Sequence, residues 1–271
     1  MLLVLPVSFR AQDTSAAHVI VHRSVLVNNA DWKAQPDYSF HRIDAQGSHE
    51  VVQQTSADRC QTVAVTMLEG SPYERLVALH DKPIGLHQQR QEQTKLEREI
   101  RTRASETARQ RQARISKYEN DRAEENFLMR QMVSAFSFAL AGQEQMGGAD
   151  CYVLKATPNP NYRPPVEKAR ALTGMQGRLW IDKVHYHWVR IEAEVSQPVA
   201  FGFFLAKVKP GTRFQLEQVP VGDVWLPKKF IQTVNASVLG FYGIQSRDET
   251  YWSDYRQDTL NAANYPLPVS R

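Results

Sequence analysis

The chain is poor in the features that most readily announce a function. It has two cysteines, Cys60 and Cys151, in 271 residues, with no CxxC pair and no Cys/His spacing of the kind that holds zinc or runs thiol redox chemistry. No stretch approaches the roughly 18 consecutive apolar residues that a membrane-spanning helix requires, so no transmembrane segment is expected. Neither sign of charge dominates. Thirty-three Lys and Arg against 29 Asp and Glu leave +4, too small and too dispersed for a nucleic-acid partner. Nucleophile elbows, HExxH helices, phosphate loops and dinucleotide fingerprints are missing. No catalytic residue, cofactor or metal site is therefore assigned.

What is present suits a soluble core-forming chain, with 42% apolar and 23% charged residues. Residues Leu2 to Phe9 read LLVLPVSF and are followed by Arg10 and a polar DTSAA, so residues 1–12 resemble the tail of a secretory signal. Secretion would place the protein in an oxidising compartment where Cys60 and Cys151 can pair; free buried thiols are the alternative. Ala17, Ile20, Val21, Ser24, Val25 and Asn28 recur at three- and four-residue spacing, which predicts a helix over residues 15–29, ended by Asn28-Asn29.

Strands follow. Residues 38–44 (YSFHRID) and 49–56 alternate, and 62–69 with 73–80 around Gly70-Ser71-Pro72 form a predicted hairpin. Composition then changes. From Leu86 to Val133 Gly and Pro vanish and Gln, Arg, Glu and Lys dominate, which predicts one long helix or two. The apolar stripe is thin and opposite charges nearly cancel, so a solvated helical insertion beside a sheet is expected, with partner docking as the other option. Beyond it, segments starting at Ala135, Cys151, Gly177, Trp188, Ala200, Thr212, Lys228 and Phe241 alternate, with turn signals every 10 to 15 residues or so. The Pro-rich stretch 158–174 reads as a loop.

The expected fold class is α+β, mainly antiparallel β: a curled sheet of roughly ten strands with an N-terminal helix and a charged helical insertion. One domain is expected over residues 13–256, with the insertion at about 86–133 and a tail at 257–271. Residues 200–208 place apolar side chains on both faces and are expected to form a central strand. A sheet this wide must twist, and a curled sheet has a concave face to cover.

The GRLWID strand (Gly177 to Asp182), Val224-Trp225-Leu226-Pro227, the N-terminal helix and the YxF strand at Tyr38 resemble the periplasmic outer-membrane lipoprotein carriers, the LolA/LolB-like superfamily. The resemblance runs from about residue 15 to 256. It implies a half-open antiparallel barrel, lidded by helices, whose interior accepts acyl chains, in a protein of the periplasm or the secreted fraction. The charged segment from Leu86 to Val133 departs from that pattern, where the carriers have shorter helical elements.

Candidate lining residues for an apolar groove are Phe40, Val65, Phe138, Trp180, Phe201, Phe203, Trp225 and Phe230; ordinary core packing is their alternative role. His185 and His187 share a strand face and could ligate a metal, but a turn falls there. Glu192 and Glu194 share a face that looks like the wet side of a sheet. The expected function is non-enzymatic binding of a lipid or the acyl chains of a lipoprotein, as carrier or chaperone. An envelope sensor or scaffold that docks an envelope protein partner through the charged helices is the first alternative. A hydrolase on the same fold is the second.

Overall fold

The computed structural model describes residues 8–48, 59–201, 206–238 and 242–258. Helix α1 (Ser8–Ala34) leads into β1 (Tyr38–Ser48), the hairpin β2 (Arg59–Leu68) and β3 (Ser71–Leu79), and the short β4 (Lys82–Pro83). Helices α2 (Leu86–Ala104) and α3 (Ala108–Ala135) follow, then β5 (Phe136–Met146), β6 (Ala149–Pro158) and a 3-10 segment (Glu167–Gly174). The chain continues through β7 (Met175–Asp182), β8 (Trp188–Val195), β9 (Val199–Phe201) and β10 (Ala206–Val208). It finishes with β11 (Arg213–Val221), β12 (Val224–Val238) and β13 (Tyr242–Gln257).

The strands form one sheet in the order β4-β3-β2-β1-β13-β12-β11-β8-β7-β6-β5, with β10 on β12 and β9 on β10. Among the described residues its two ends do not pair, so the sheet is unclosed, and the fold is the α+β, mainly antiparallel one that the alternation predicts. The described residues form thirteen strands where roughly ten were expected. The two-residue β4 is too short to carry a period-two pattern, and the single strand expected over 200–208 is two short ones, β9 and β10. The predicted strand over 49–56 lies outside the described residues.

Two expectations are corrected. Helix α1 runs through Asn28-Asn29 to Ala34. Asn28 is buried and its Oδ1 accepts a hydrogen bond from Gln218 Nε2 at 3.3 Å, so the side chain is engaged in packing and does not turn back on the backbone to end the helix. Residues 200–209 are not one central strand either. Phe201 pairs with Ala206 in antiparallel register, so they belong to two strands, and among the described residues β9 pairs with β10 alone.

The chain divides into two compact units. The first holds α1 as far as Trp32 and residues 128–249. Its strands are in unusually clean register. Leu154, Leu179, Ile191, Leu216 and Phe230 stand side by side across β6, β7, β8, β11 and β12. Most of that row is packed into a core with Ala17, Ile20 and Val21 of α1 and Met132 and Ala135 of α3. Lys155, Arg178, Glu192, Gln215 and Ile231 make the next row. Successive strand residues point to opposite faces, so the first row is the dry face and the second the wet one. At Gly177 a Cβ would lie 2.2 Å from the Glu192 carbonyl oxygen, which leaves room for no side chain between β7 and β8.

The second unit holds Lys33–Gly47, the chain from β2 to Phe127, and β13 from Thr250. The β2–β3 turn puts Glu69 (φ 50°) and Gly70 (φ 86°) in the left-handed region that glycine and few other residues enter freely.

Candidate functional site

In the second unit His41, Ala64 and Arg75 stand in one row across β1, β2 and β3, and Thr66 faces Tyr73. Helix α2 is tied to this sheet: the Leu76 backbone N–H donates to Glu92 Oε2 at 3.3 Å, and the Glu92 side chain also takes a bond from Lys95 Nζ at 2.6 Å. A cavity of about 370 Å³ opens between the strands and the helix. Leu68, Tyr73, Leu96, Ile100 and Ala64 supply its apolar wall, and Ser39, His41, Gln93, Arg75, Asp254 and Arg256 its polar one. Phe40 and Val65 also border it. They sit opposite one another, one residue out of step with the His41–Ala64–Arg75 row, so their side chains belong to the other face and their backbone to the cavity floor. Phe40 packs instead on Tyr255, ring centroids 5.4 Å apart.

The polar wall is organised by charge. His41 Nδ1 lies 3.0 Å from Asp254 Oδ2, and the Ser253 hydroxyl donates to the same oxygen at 3.0 Å. The Ser253 bond first, and His41 second, hold the Asp254 carboxyl below the usual carboxylate range. Burial pushes the Tyr73 phenol up, with Glu92 and Glu99 adding to the effect. Arg75 and Arg256 therefore border an apolar space beside a phenol that stays neutral.

One feature of this unit is invisible as a sequence motif. Arg103 of α2 is buried and donates to the carbonyls of Leu68, Ser71 and Pro72 and to Ser71 Oγ. Arg114 of α3 donates to the Glu69 carbonyl at 3.1 Å, to Ser71 Oγ at 2.7 Å, and through two further bonds to Glu106. The Glu106 bond raises the Arg114 guanidinium pKa and lowers that of the Glu106 carboxyl. Two arginines thus hold the α2–α3 connection to the β2–β3 turn and set the end of α2 that roofs the cavity.

The candidates among the described residues fall in both units, Phe40 and Val65 in the second and the others in the first. Phe138 is buried on the dry face of the first unit, edge-on to Phe136. Phe230 joins the apolar row and stacks near Phe214. Trp180 shares the strand face of Arg178 but is buried in a small apolar cluster with Cys151, Val153 and Val189, and donates from Nε1 to Glu144 at 2.9 Å. Trp225 stacks on His187 with centroids 5.6 Å apart. Phe201 is half-buried on β9, and Phe203 lies outside the described residues.

The histidines divide. His185 is exposed at the β7–β8 turn, its backbone N–H donating to Asp182 Oδ2 at 2.6 Å. His187, expected to be an exposed turn residue, is buried: its Nδ1 lies 2.7 Å from Asp31 Oδ2 of α1. Beside it Trp188 Nε1 donates to Ser24 Oγ at 2.9 Å, and Ser24 in turn donates to the Val21 carbonyl. These contacts fasten α1 to the sheet. Among the described residues no group of three or more His, Cys, Asp or Glu side chains is placed to hold a metal ion. Glu192 is paired with Arg190, and Glu194 accepts from Gln176 at 2.7 Å, as the wet sheet face predicts.

Cys60 on β2 and Cys151 on β6 are free buried thiols, so the pairing offered by a secreted location is not made; the two strands are not neighbours in the sheet. Burial, and then the charge of Asp182, pushes the Cys151 thiol up to about 11. Burial and Asp81 raise that of Cys60.

No family model matches the chain, and no curated protein matches it in sequence. Among solved structures it is similar to a LolA superfamily protein from Nitrosomonas europaea (12% identity, 90% of this chain and 94% of that one, TM-score 0.32). It is also similar to a DUF1329 family protein from Desulfovibrio piger (11% identity, 91% and 94%, TM-score 0.31). A third is an outer membrane lipoprotein-sorting protein domain from Vibrio parahaemolyticus (14% identity, 88% and 94%, TM-score 0.31).

Proposed function

We propose that the protein binds the hydrocarbon chain of a lipid or acylated lipoprotein beneath α2, as a carrier or chaperone of the bacterial envelope, and does not turn it over. The single observation that carries this reading is the cavity of about 370 Å³ that Leu68, Leu96 and Ile100 line. Its size falls in the usual range of ligand sites, about 300 to 1,000 Å³. At about 30 Å³ for each water-sized group, it has room for roughly ten to twelve methylenes. Each methylene moved out of water contributes about 0.8 kcal/mol, so a filled cavity gains roughly 8 kcal/mol before the costs of ordering the ligand. Those costs are several kcal/mol, so a bare alkyl chain binds only weakly and the chain length decides whether binding is seen.

The test is a calorimetric series of straight-chain alcohols and carboxylates. Each added carbon should tighten binding by up to about fourfold, the factor that 0.8 kcal/mol represents, and the gain should stop near ten to twelve carbons. Ile100→Glu should abolish it by placing a charge in the cavity. Affinity independent of chain length, or unchanged in Ile100→Glu, overturns the reading.

A docking role for the charged helices is the second reading. It is favoured by exposed charged side chains on α2 and α3, such as Arg98, Arg109 and Glu124, and by exposed ion pairs such as Lys117–Asp121. Reversal of the exposed charges along residues 88–122, with Glu92, Arg103 and Arg114 kept, should then release a protein partner and leave the alkyl series unchanged.

A further inference from the structure

We propose a second binding site on the wet face of the first unit's sheet, for a phosphate-bearing group. Lys155 of β6 and Arg178 of β7 stand directly opposite one another in register. Like charges in that position repel. Neither has an ion pair or side-chain hydrogen bond among the described residues, and the nearest carboxylates are committed elsewhere. Glu192, in register with Arg178, is paired with Arg190. Glu194 takes a bond from Gln176 and lies 4.0 Å from Arg213. The sheet has therefore assembled two uncompensated cations side by side on one wall of a cavity of about 800 Å³, to which Arg213 and Arg247 also contribute.

The chemistry selects the ligand class. A lysine ammonium is a compact point charge and an arginine guanidinium a planar fork, and the two together suit the several oxygens of a phosphate. At about 30 Å³ per water-sized group, the cavity is several times larger than inorganic phosphate, so the phosphate is esterified to a polar body. Glu192 and Glu194 at the same wall disfavour a long polyanion, and they can accept hydrogen bonds from hydroxyl or ammonium groups beside the phosphate. A phospholipid headgroup and a soluble phosphate ester share this chemistry.

The experiment uses the full chain at low ionic strength, about 0.01 M, where charge screening is weak. Glycerol 3-phosphate is titrated by calorimetry, and vesicles of phosphatidylglycerol are compared with vesicles of phosphatidylcholine by cosedimentation. Binding to glycerol 3-phosphate identifies a soluble ester; binding only to the phosphatidylglycerol vesicles identifies a headgroup. In either case Lys155→Gln with Arg178→Gln should weaken binding by at least about tenfold, the loss of a charge-assisted bond, and Ile100→Glu should leave it unchanged. The double variant removes only exposed, mutually repelling charges, so its melting temperature should hold or rise. No binding to either probe, or binding that the folded double variant keeps in full, overturns the proposal.

Discussion

Asp31 and His187 are 156 positions apart and meet at 2.7 Å with both side chains out of water. Removing one member of a buried pair strands the other, at a cost of about 3 to 5 kcal/mol. His187→Ala should lose stability on that scale in a urea titration, and Asp31→Ala with His187→Ala should lose less than the two single changes added. A second prediction follows from Cys151. Its thiol sits above the ordinary 9.0, at about 11, so the folded state holds the proton where the unfolded state releases it. Stability is then fully present below pH 9 and falls as the pH climbs from about 9 to about 11. Iodoacetamide at pH 8 should alkylate Cys151 far more slowly in the native protein than in urea. At this scale the sequence was half legible. The three- and four-residue spacing placed Ser24 and Asn28 on the inner side of α1, but the partners that explain two buried polar side chains come from β8 and β11. No local pattern reports a contact over such a separation.

The elements were more legible than their ends. The run from Leu86 to Val133 was expected to be one helix or two, and it is α2 and α3. The break had a signal. Thr107 and Gln110 form a capping box, the Thr107 N–H donating to Gln110 Oε1 at 2.9 Å and the Gln110 N–H to Thr107 Oγ1 at 3.3 Å. That T-x-x-Q spacing is readable directly at positions 107–110 and dates the second helix start. What could not be read is why the connection stays put, because Arg103 and Arg114 look like any other arginines of a solvated helix. Arg103→Ala should strand several carbonyls of the β2–β3 turn and cost about 2 to 3 kcal/mol, measured by thermal or urea unfolding. It should also weaken the alkyl series, since α2 then loses its anchor beside Leu96 and Ile100.

At the scale of the whole molecule, the alternation predicted an antiparallel sheet with helices and the resemblance a half-open one, and among the described residues that is the fold. It predicted less well where free space would be. In the first unit the dry face is filled by Leu154, Leu179 and Ile181 against α1 and α3, and its cavity opens on the charged face instead. The apolar cavity lies in the second unit, under a helix whose polar composition gave no hint that Leu96 and Ile100 would line a void. Alternation tells which side of a strand is dry, but whether a dry side is packed or hollow depends on side chains brought in from distant elements. The central claim, a hydrocarbon chain beneath α2, is tested most directly by titrating decanoate into isotope-labelled protein and following the backbone and methyl resonances. The account predicts saturable shifts at Ala64, Leu68, Leu96 and Ile100. Shifts confined to α1 and the dry face of the first unit, or none at saturating ligand, would contradict it.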